Sequence, residues 1–332
     1  MSVLVTGGAG YIGAHTVRAL RARGYDVVVL DDLSRGNAAA VVDAPLVVGR
    51  VQDADLVTEL VRRHGVTALV HFAALKSVGE SVAHPERYFD ENVGGTARLL
   101  RAVIDAGVAH VVFSSSAAVY GTPQRVPIAE DHPLHPESPY GETKVLVERM
   151  LPWLEQAHGT TSVSLRYFNA AGAASDGRIG EDYSVSTNLV PLVMKAVLGR
   201  SGPLSIFGSD YPTRDGTCVR DYVHVEDLAD AHAMAVDHLE GGGASDVLNL
   251  GTGTGATVLE VLQATERASG RAVPVTMVPR RPGDPVELVA DNARAARLLG
   301  WKPAQGLDEI VTSAWAWHSA HPDGYGSSQP EG

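Results

Sequence analysis

"VLVTGGAGYIG", residues 3–13, passes from an apolar, β-branched run through a cluster of glycines into a helix-forming segment. Glycines at 7, 8, 10 and 13 permit a tight turn and let a bulky anion lie against backbone amides, while the helix at 11–23 turns its positive dipole end toward that anion. Such spacing means little alone; its place between a strand and a helix makes it a pyrophosphate site for a dinucleotide. The next apolar run, "DVVVL" (26–30), ends at Asp31, 18 positions beyond Gly13. A carboxylate there accepts hydrogen bonds from the ribose hydroxyls of an adenine dinucleotide.

Further strand-like runs follow: "ALVHFAA" (68–74) after a helix near 54–64, and "HVVFSSS" (110–116) after one near 86–106. Valine-rich runs without alternation suit strands covered on both faces, and the intervening helices supply crossovers. The expected fold is α/β, a doubly wound parallel (Rossmann) sheet with ligands at the strands' carboxyl ends. Beyond about residue 170 the pattern loosens, and "SGPLSIFGSDYPTRDGT" (201–217) reads as a short strand between turns. "DYVHVEDLADAHAMAVDHL" (221–239) reads as a strand and then a helix capped near Glu226 or Asp227, and "DVLNLG" (246–251) as another strand. We therefore expect a cofactor domain over 1–169 with return segments near 218–251. A smaller, interleaved C-terminal substrate domain covers 170–332, and its tail, 324–332, is expected to lack fixed structure.

The chain has 332 residues, with 27 Lys and Arg against 39 Asp and Glu, a formal charge of −12. That balance repels nucleic acid and anionic membrane surfaces, so neither is expected as a partner, and an anionic ligand must be held by local cations. A single cysteine, Cys218, fits a reducing cytosol. The opening "MSVLVTGG" lacks the charged and apolar regions of a signal peptide, and no run reaches spanning length, so the expected location is cytoplasmic. His224, His232 and His238 lie near Asp227 and Asp230, but helical spacing does not bring three ligands to one face, and no metal is expected.

"SPYGETK" (138–144) sets Tyr140 and Lys144 four positions apart on one helical face. A free phenol loses its proton at about pH 10. Lys144, with the positive nicotinamide ring of an oxidised cofactor, is expected to favour the phenolate of Tyr140, which could then exchange a proton with a carbinol. The run "SSSAAVYG" (114–121) leaves a strand at the sheet's carboxyl edge, and Ser116 is our choice for the hydroxyl that shares the substrate oxygen. Asp31 and Asp32 disfavour a 2′-phosphate and so favour NAD over NADP, although Arg35 and Arg50 are cations that could receive one.

With these features placed, the chain resembles the extended short-chain dehydrogenase/reductase family, and within it the UDP-glucose (UDP-galactose) 4-epimerases, from Val3 to about Tyr325. The resemblance rests on "VTGGAGYIGAHT", "HFAALKSVGESV", "FSSSAAVYG", "SPYGETK", "LRYFNAAGA", "TRDGTCVRDYVHVEDLADAH" and "RRPGD". It implies an NAD-dependent isomerase of carbohydrate metabolism in which Ser116, Tyr140 and Lys144 are catalytic. Around the NAD it places Gly7, Gly10, Tyr11, Ile12, Gly13, Asp31, Asp32, Leu33, Ser34, Arg35, Gly36, Arg50 and Val51. Phe72, Ala73, Ala74, Leu75, Lys76, Asn92 and Phe168 join them there. On the UDP-sugar it places Lys76, Asn169, Asn188, Leu189, Ser205, Ile206, Phe207, Arg220, Arg281, Asp284 and Leu288. Two arginines on separate loops suit a dianionic diphosphate, the alternative for Arg220 being a salt bridge to Asp221.

Three positions depart from the family pattern. Arg50 stands where an Asp usually reaches the adenine amino group, with Asp53 better read as a helix cap. Leu288 stands where a tyrosine or cysteine often closes the sugar end, leaving room for a 2-acetamido group. Cys218 replaces a common glycine and reads as a packing thiol. A dehydratase of the same family would need an Asp-Glu pair where this chain has Ala117 and Ala118, and a non-catalytic regulator could dispense with Tyr140 or Lys144. The resemblance also implies a homodimer through the helices near 86–106 and 140–157.

Overall fold

The structure, a computed structural model, describes residues 1–182, 186–281 and 283–326. Strands β1 (Ser2–Thr6), β2 (Asp26–Asp31), β3 (Leu46–Val48), β4 (Val66–His71), β5 (His110–Ser114) and β6 (Thr161–Tyr167) build a parallel sheet. Short strands β7 (Asn169–Ala171), β8 (Leu204–Phe207), β9 (Val219–Arg220) and β10 (Tyr222–His224) lie outside it, before β11 (Asp246–Leu250) returns to pair with β6. The remaining strands, β12 (Ala256–Thr257), β13 (Val275–Val278) and β14 (Glu287–Leu288), join β9 and β8.

The order of the seven-stranded sheet is β11-β6-β5-β4-β1-β2-β3. Strand β1 thus lies between β2 and β4, and the crossovers diverge on either side of it, opening a crevice at the carboxyl ends of β1 and β4. Both the glycine run and the loop that begins at Phe72 leave the sheet there, and Phe72 N–H still donates to Thr6 O at 2.9 Å.

Helices α1 (Tyr11–Ala22), α2 (Ala54–His64), α3 (Val78–Ala83), α4 (Pro85–Tyr88), α5 (Gly95–Asp105) and α6 (Pro139–His158) occupy the first half of the chain. They are followed by α7 (Leu189–Val197), α8 (Val225–Glu240), α9 (Val258–Ser269), α10 (Ala293–Leu299) and α11 (Leu307–Ala320). Side chains alternate across β1: Val3 and Val5 meet α1, α8 and α10, while Leu4 meets α2, α5 and α6. Covered on both faces, the strand has no polar side, which is why the valine runs do not alternate. A separate apolar cluster joins α7, α9 and α11 over β7 and β10. Among the described residues no helix is long and apolar enough to cross a membrane.

One local expectation is refined and two are corrected. The helix near 86–106 is present and continuous but not α-helical throughout: α4 ends at Tyr88, a wide π turn covers Phe89–Gly94, and α5 follows from Gly95. The extra residue in that turn is a recurrent device for aiming a side chain, here Asn92, which is buried. Helix α8 is capped by His224, whose Nδ1 accepts from Glu226 N–H at 3.1 Å, whereas Asp227 is buried against the Ala304 and Gln305 amides. In the tail, Tyr325 is docked, its hydroxyl bonded to both Gly180 O at 2.9 Å and Gly180 N–H at 3.1 Å; residues 327–332 lie outside the described residues.

Candidate active site

At the crevice, Gly10 begins α1 without any side-chain cap, and the first turn holds no acidic residue. Its amides are therefore open to an anion, as the dipole requires. A Cβ on Gly13 would sit 2.3 Å from the Gly7 carbonyl oxygen, so only glycine lets α1 start this close to the turn. Asp31 is 7% exposed; its two oxygens accept from Ala9 N–H and Leu33 N–H, each at 2.9 Å. Each oxygen retains lone-pair capacity for a ribose hydroxyl. Leu33 adopts φ 58, a strained left-handed conformation for a branched residue, to keep that turn. These residues fit a dinucleotide.

The two cations that left NADP open are engaged elsewhere: Arg50 pairs with Glu91 at 2.6 Å and Arg35 with Glu80 at 3.4 Å. Asp53 caps α2, accepting from Leu56 N–H at 3.1 Å. Asn92 spends its amide on the cofactor loop: Oδ1 accepts from Leu75 N–H at 2.8 Å, and Nδ2 donates to Leu75 O at 2.9 Å and Thr143 Oγ1 at 3.2 Å. It therefore shapes the 72–76 loop from behind.

Helix α6 begins as "SPYGETK" demands. Ser138 caps it by accepting from Gly141 N–H at 3.2 Å, and Pro139 occupies the first position, where no amide hydrogen is needed. A Cβ on Gly141 would lie 2.5 Å from Ala118 O, so the glycine between Tyr140 and Lys144 lets the helix abut the turn that Ser116 caps. This contact brings the Ser116 side chain beside Tyr140, where it acts to lower the phenol's pKa. Lys144, 4% exposed, donates from Nζ to Ser114 O at 2.8 Å and lies 4.9 Å from the Phe113 ring centre and 5.8 Å from that of Tyr140.

Burial pushes the Tyr140 phenol up, with Ser116 opposing it. Burial also brings Lys144 down to about 8, opposed by the Glu148 carboxylate. Within the chain's own field Tyr140 is protonated at neutral pH, so an acidifying charge must arrive with the cofactor.

On the substrate side, Arg220 does not bridge to Asp221. It pairs with Asp284 and donates to Val219 O at 2.7 Å, while Asp221 accepts from Thr252 N–H at 2.7 Å and Gly253 N–H at 3.0 Å. The Arg281 guanidinium lies 3.7 Å from the Phe207 ring centre. Strand alternation exposes Ser205 but buries Ile206 to 2%, so Ile206 offers a ligand only its backbone. Asn169 donates to Asp221 O at 3.1 Å, and Asn188 precedes Leu189 at the start of α7. Leu288 and Phe168 pack against Ala117, Val119 and Val145 beside the serine run. Burial raises the Cys218 thiol, in keeping with a packing role.

The histidines diverge: His224 Nε2 meets Ser313 Oγ at 3.0 Å, His232 stacks 4.6 Å from Phe72, and His238 Nε2 meets Ala244 O at 2.9 Å. Two buried carboxylates escaped the sequence reading. Glu181 accepts from Asn188 Nδ2 at 3.0 Å and lies 4.0 Å from Lys76, linking the 72–76 loop to the residue that precedes α7. Glu148 lies four residues beyond Lys144, a spacing that was available as a signal.

Comparison with known proteins bears on the whole arrangement. The family model described as "NAD dependent epimerase/dehydratase family" matches residues 3–251. The UDP-glucose 4-epimerase of Lactobacillus helveticus is 50% identical over 327 residues, covering 98% of this chain and 99% of that protein. The structure of UDP-glucose 4-epimerase from Brucella ovis in complex with NAD superposes with a TM-score of 0.93 at 46% identity, covering 95% of this chain and 97% of the other. That of the Bifidobacterium longum enzyme in complex with NAD+ and UDP gives 0.92 at 40% identity, covering 98% and 100%. The likeness thus runs over almost the full length of each relative, and the chain belongs to the NAD dependent epimerase/dehydratase family.

Proposed function

We propose that the chain interconverts UDP-galactose and UDP-glucose, inverting C4 through a transient 4-keto sugar with NAD held throughout. The observation that supports this reading is the grouping of Ser116, Tyr140 and Lys144 at the end of β5, joined through Thr143, Asn92 and Leu75 to the loop that abuts Gly7. Bound NAD supplies the hydride acceptor for C4 and later the hydride donor. Tyr140 takes the 4-hydroxyl proton, Ser116 shares that oxygen, and Lys144 holds the phenolate and the cofactor's ribose. Arg220 and Arg281 hold the diphosphate, with Asn169, Asn188, Ser205 and Phe207 around the rest of the nucleotide sugar. Because the nucleotide carries the affinity, the keto-hexose turns about its bond to the diphosphate and offers its other face to the same three residues. Tyr140 then returns the proton. Residues 1–169 with the 218–251 return serve the cofactor, and 170–332 serves the sugar nucleotide.

Purified protein incubated with UDP-galactose and no added NAD is expected to yield UDP-glucose; a product pool that stays UDP-galactose even with NAD supplied defeats the reading. In the same assay the room left by Leu288 is expected to admit UDP-N-acetylgalactosamine, while Leu288→Tyr suppresses that substrate at least about tenfold relative to UDP-galactose.

We further propose that α5 and α6 pair with those of a second copy. Trp153 on α6 is 71% exposed and Phe89, which opens the π turn leading into α5, is 38% exposed, an apolar display that a partner would cover. Light scattering is expected to give twice 34.9 kDa, and Trp153→Glu to give the single mass. A wild-type mass of one chain removes this assignment.

A further inference from the structure

Tyr140, Lys144 and Glu148 succeed one another at four-residue steps on α6, and all three are buried. The first two have roles in the proposed reaction; the third has none. Glu148 is 8% exposed and is grasped by Arg166 of β6, 4% exposed, through Nη2–Oε2 at 2.6 Å and Nε–Oε1 at 2.9 Å. Arg166 is fixed in turn, its Nη1 donating to Tyr120 Oη at 2.8 Å, and that hydroxyl donates to Asn249 Oδ1 at 2.7 Å.

The carboxylate also reaches the serine run. Ser115 Oγ donates to Glu148 Oε1 at 2.5 Å, while Ser114 gives its carbonyl to Lys144 at 2.8 Å and its hydroxyl to Tyr167 at 2.5 Å. The three consecutive serines therefore divide the work: Ser114 fixes Lys144, Ser115 fixes the run to α6 through Glu148, and Ser116 is left for Tyr140. Two of these ties, Lys144 to Ser114 and Glu148 to Ser115, join residues four apart on α6 to consecutive residues at the end of β5, so they set the distance between the strand end and the helix that carries the phenol.

We infer that Glu148, held by Arg166, is a positioning residue for the reaction: through Ser115 it sets where Ser116 stands relative to Tyr140, and it is the negative charge nearest Lys144 on their helix. The inference rests on the function proposed above. A buried ion pair kept only as a bolt between helix and sheet would be replaceable, because such pairs barely repay their desolvation. The link to Ser115 is what such a bolt does not need. The charged and titratable groups facing Lys144 are Tyr140 and Glu148 on α6 and His71 on β4, which Thr6 and Thr96 hold at 2.7 and 2.8 Å and which burial keeps neutral.

The test uses the full-length enzyme with its NAD and UDP-galactose. Ser115→Ala keeps the ion pair and is expected to lower kcat about 10–100-fold with KM within about twofold and little change in Tm, because it loosens only the reacting geometry. Glu148→Gln leaves Arg166 uncompensated, so both the Lys144 ammonium and the Tyr140 phenol lose their protons more easily. The kcat–pH profile is then expected to move to lower pH by about one unit, and the phenolate ultraviolet absorbance to appear correspondingly earlier in a pH titration. A Ser115→Ala enzyme with wild-type kcat, or a Glu148→Gln enzyme that loses Tm while its pH profile and phenolate titration stay put, overturns the inference and leaves the pair structural. Should Glu148→Gln not fold, Ser115→Ala decides. A wild-type protein inert toward UDP-galactose overturns the parent reading and this one together, which separates the two failures.

Discussion

Tyr140→Phe is expected to lower kcat for UDP-galactose by about 10²–10⁴-fold with KM nearly unchanged, the scale on which a positioned acid–base group contributes. Phenylalanine keeps the ring and its packing: Tyr140 is 8% exposed, at the start of a helix capped by Ser138. What disappears is the one hydroxyl that can exchange a proton with the 4-hydroxyl while Ser116 shares the oxygen. The phenol is pushed up by burial, so its ionisation depends on the charge that the oxidised cofactor brings, and the rate is expected to rise with pH as Tyr140 deprotonates. It is expected to fall again as Lys144, brought to about 8, loses its ammonium. The resulting bell, measured as kcat against pH, should lose its acidic limb in the variant. A Tyr140→Phe enzyme as active as wild type would mean that another group carries the proton.

The second large effect is expected at Gly13. An added methyl would meet Gly7 O at 2.3 Å and Gly8 Cα at 2.9 Å, both backbone atoms that no rotamer can move aside. Helix α1 must back away from the glycine turn, and overpacking of this kind costs about 1–3 kcal/mol. Since the amides at the helix start are the anion cradle, that cost falls on the cofactor, and Gly13→Ala is expected to weaken NAD retention about 10–100-fold. Counting NAD released per chain on denaturation checks it directly. A Gly13→Ala protein carrying its full complement of NAD would show that the cradle tolerates the shift.

Each effect attaches to a residue visible in the sequence, yet the sign of the tyrosine's ionisation was not. Tyr140 and Lys144 were legible because helical periodicity is a property of the chain alone, and Asp31 because it ends the second strand. The balance of charge and burial around them depends on β4, β5 and β6, whose approach no spacing reveals. The same holds for Arg220: its adjacency to Asp221 suggested one partner, while the fold supplied Asp284 from 64 positions away. Asn92 bonds to Leu75 of the 72–76 loop, and its aim comes from a π turn that a helical periodicity cannot foresee.

By itself, then, the order of residues determined the parallel sheet, the glycine turn with its acid, and the tyrosine–lysine pair, since strand burial, backbone sterics and helix pitch act between neighbours in the chain. Tertiary structure alone decided that burial raises the free phenol, that Arg166 grips Glu148, and that Tyr325 folds back onto Gly180. Desolvation and long-range ion pairing depend on which distant segments enclose a group, and those segments meet only when the sheet is assembled.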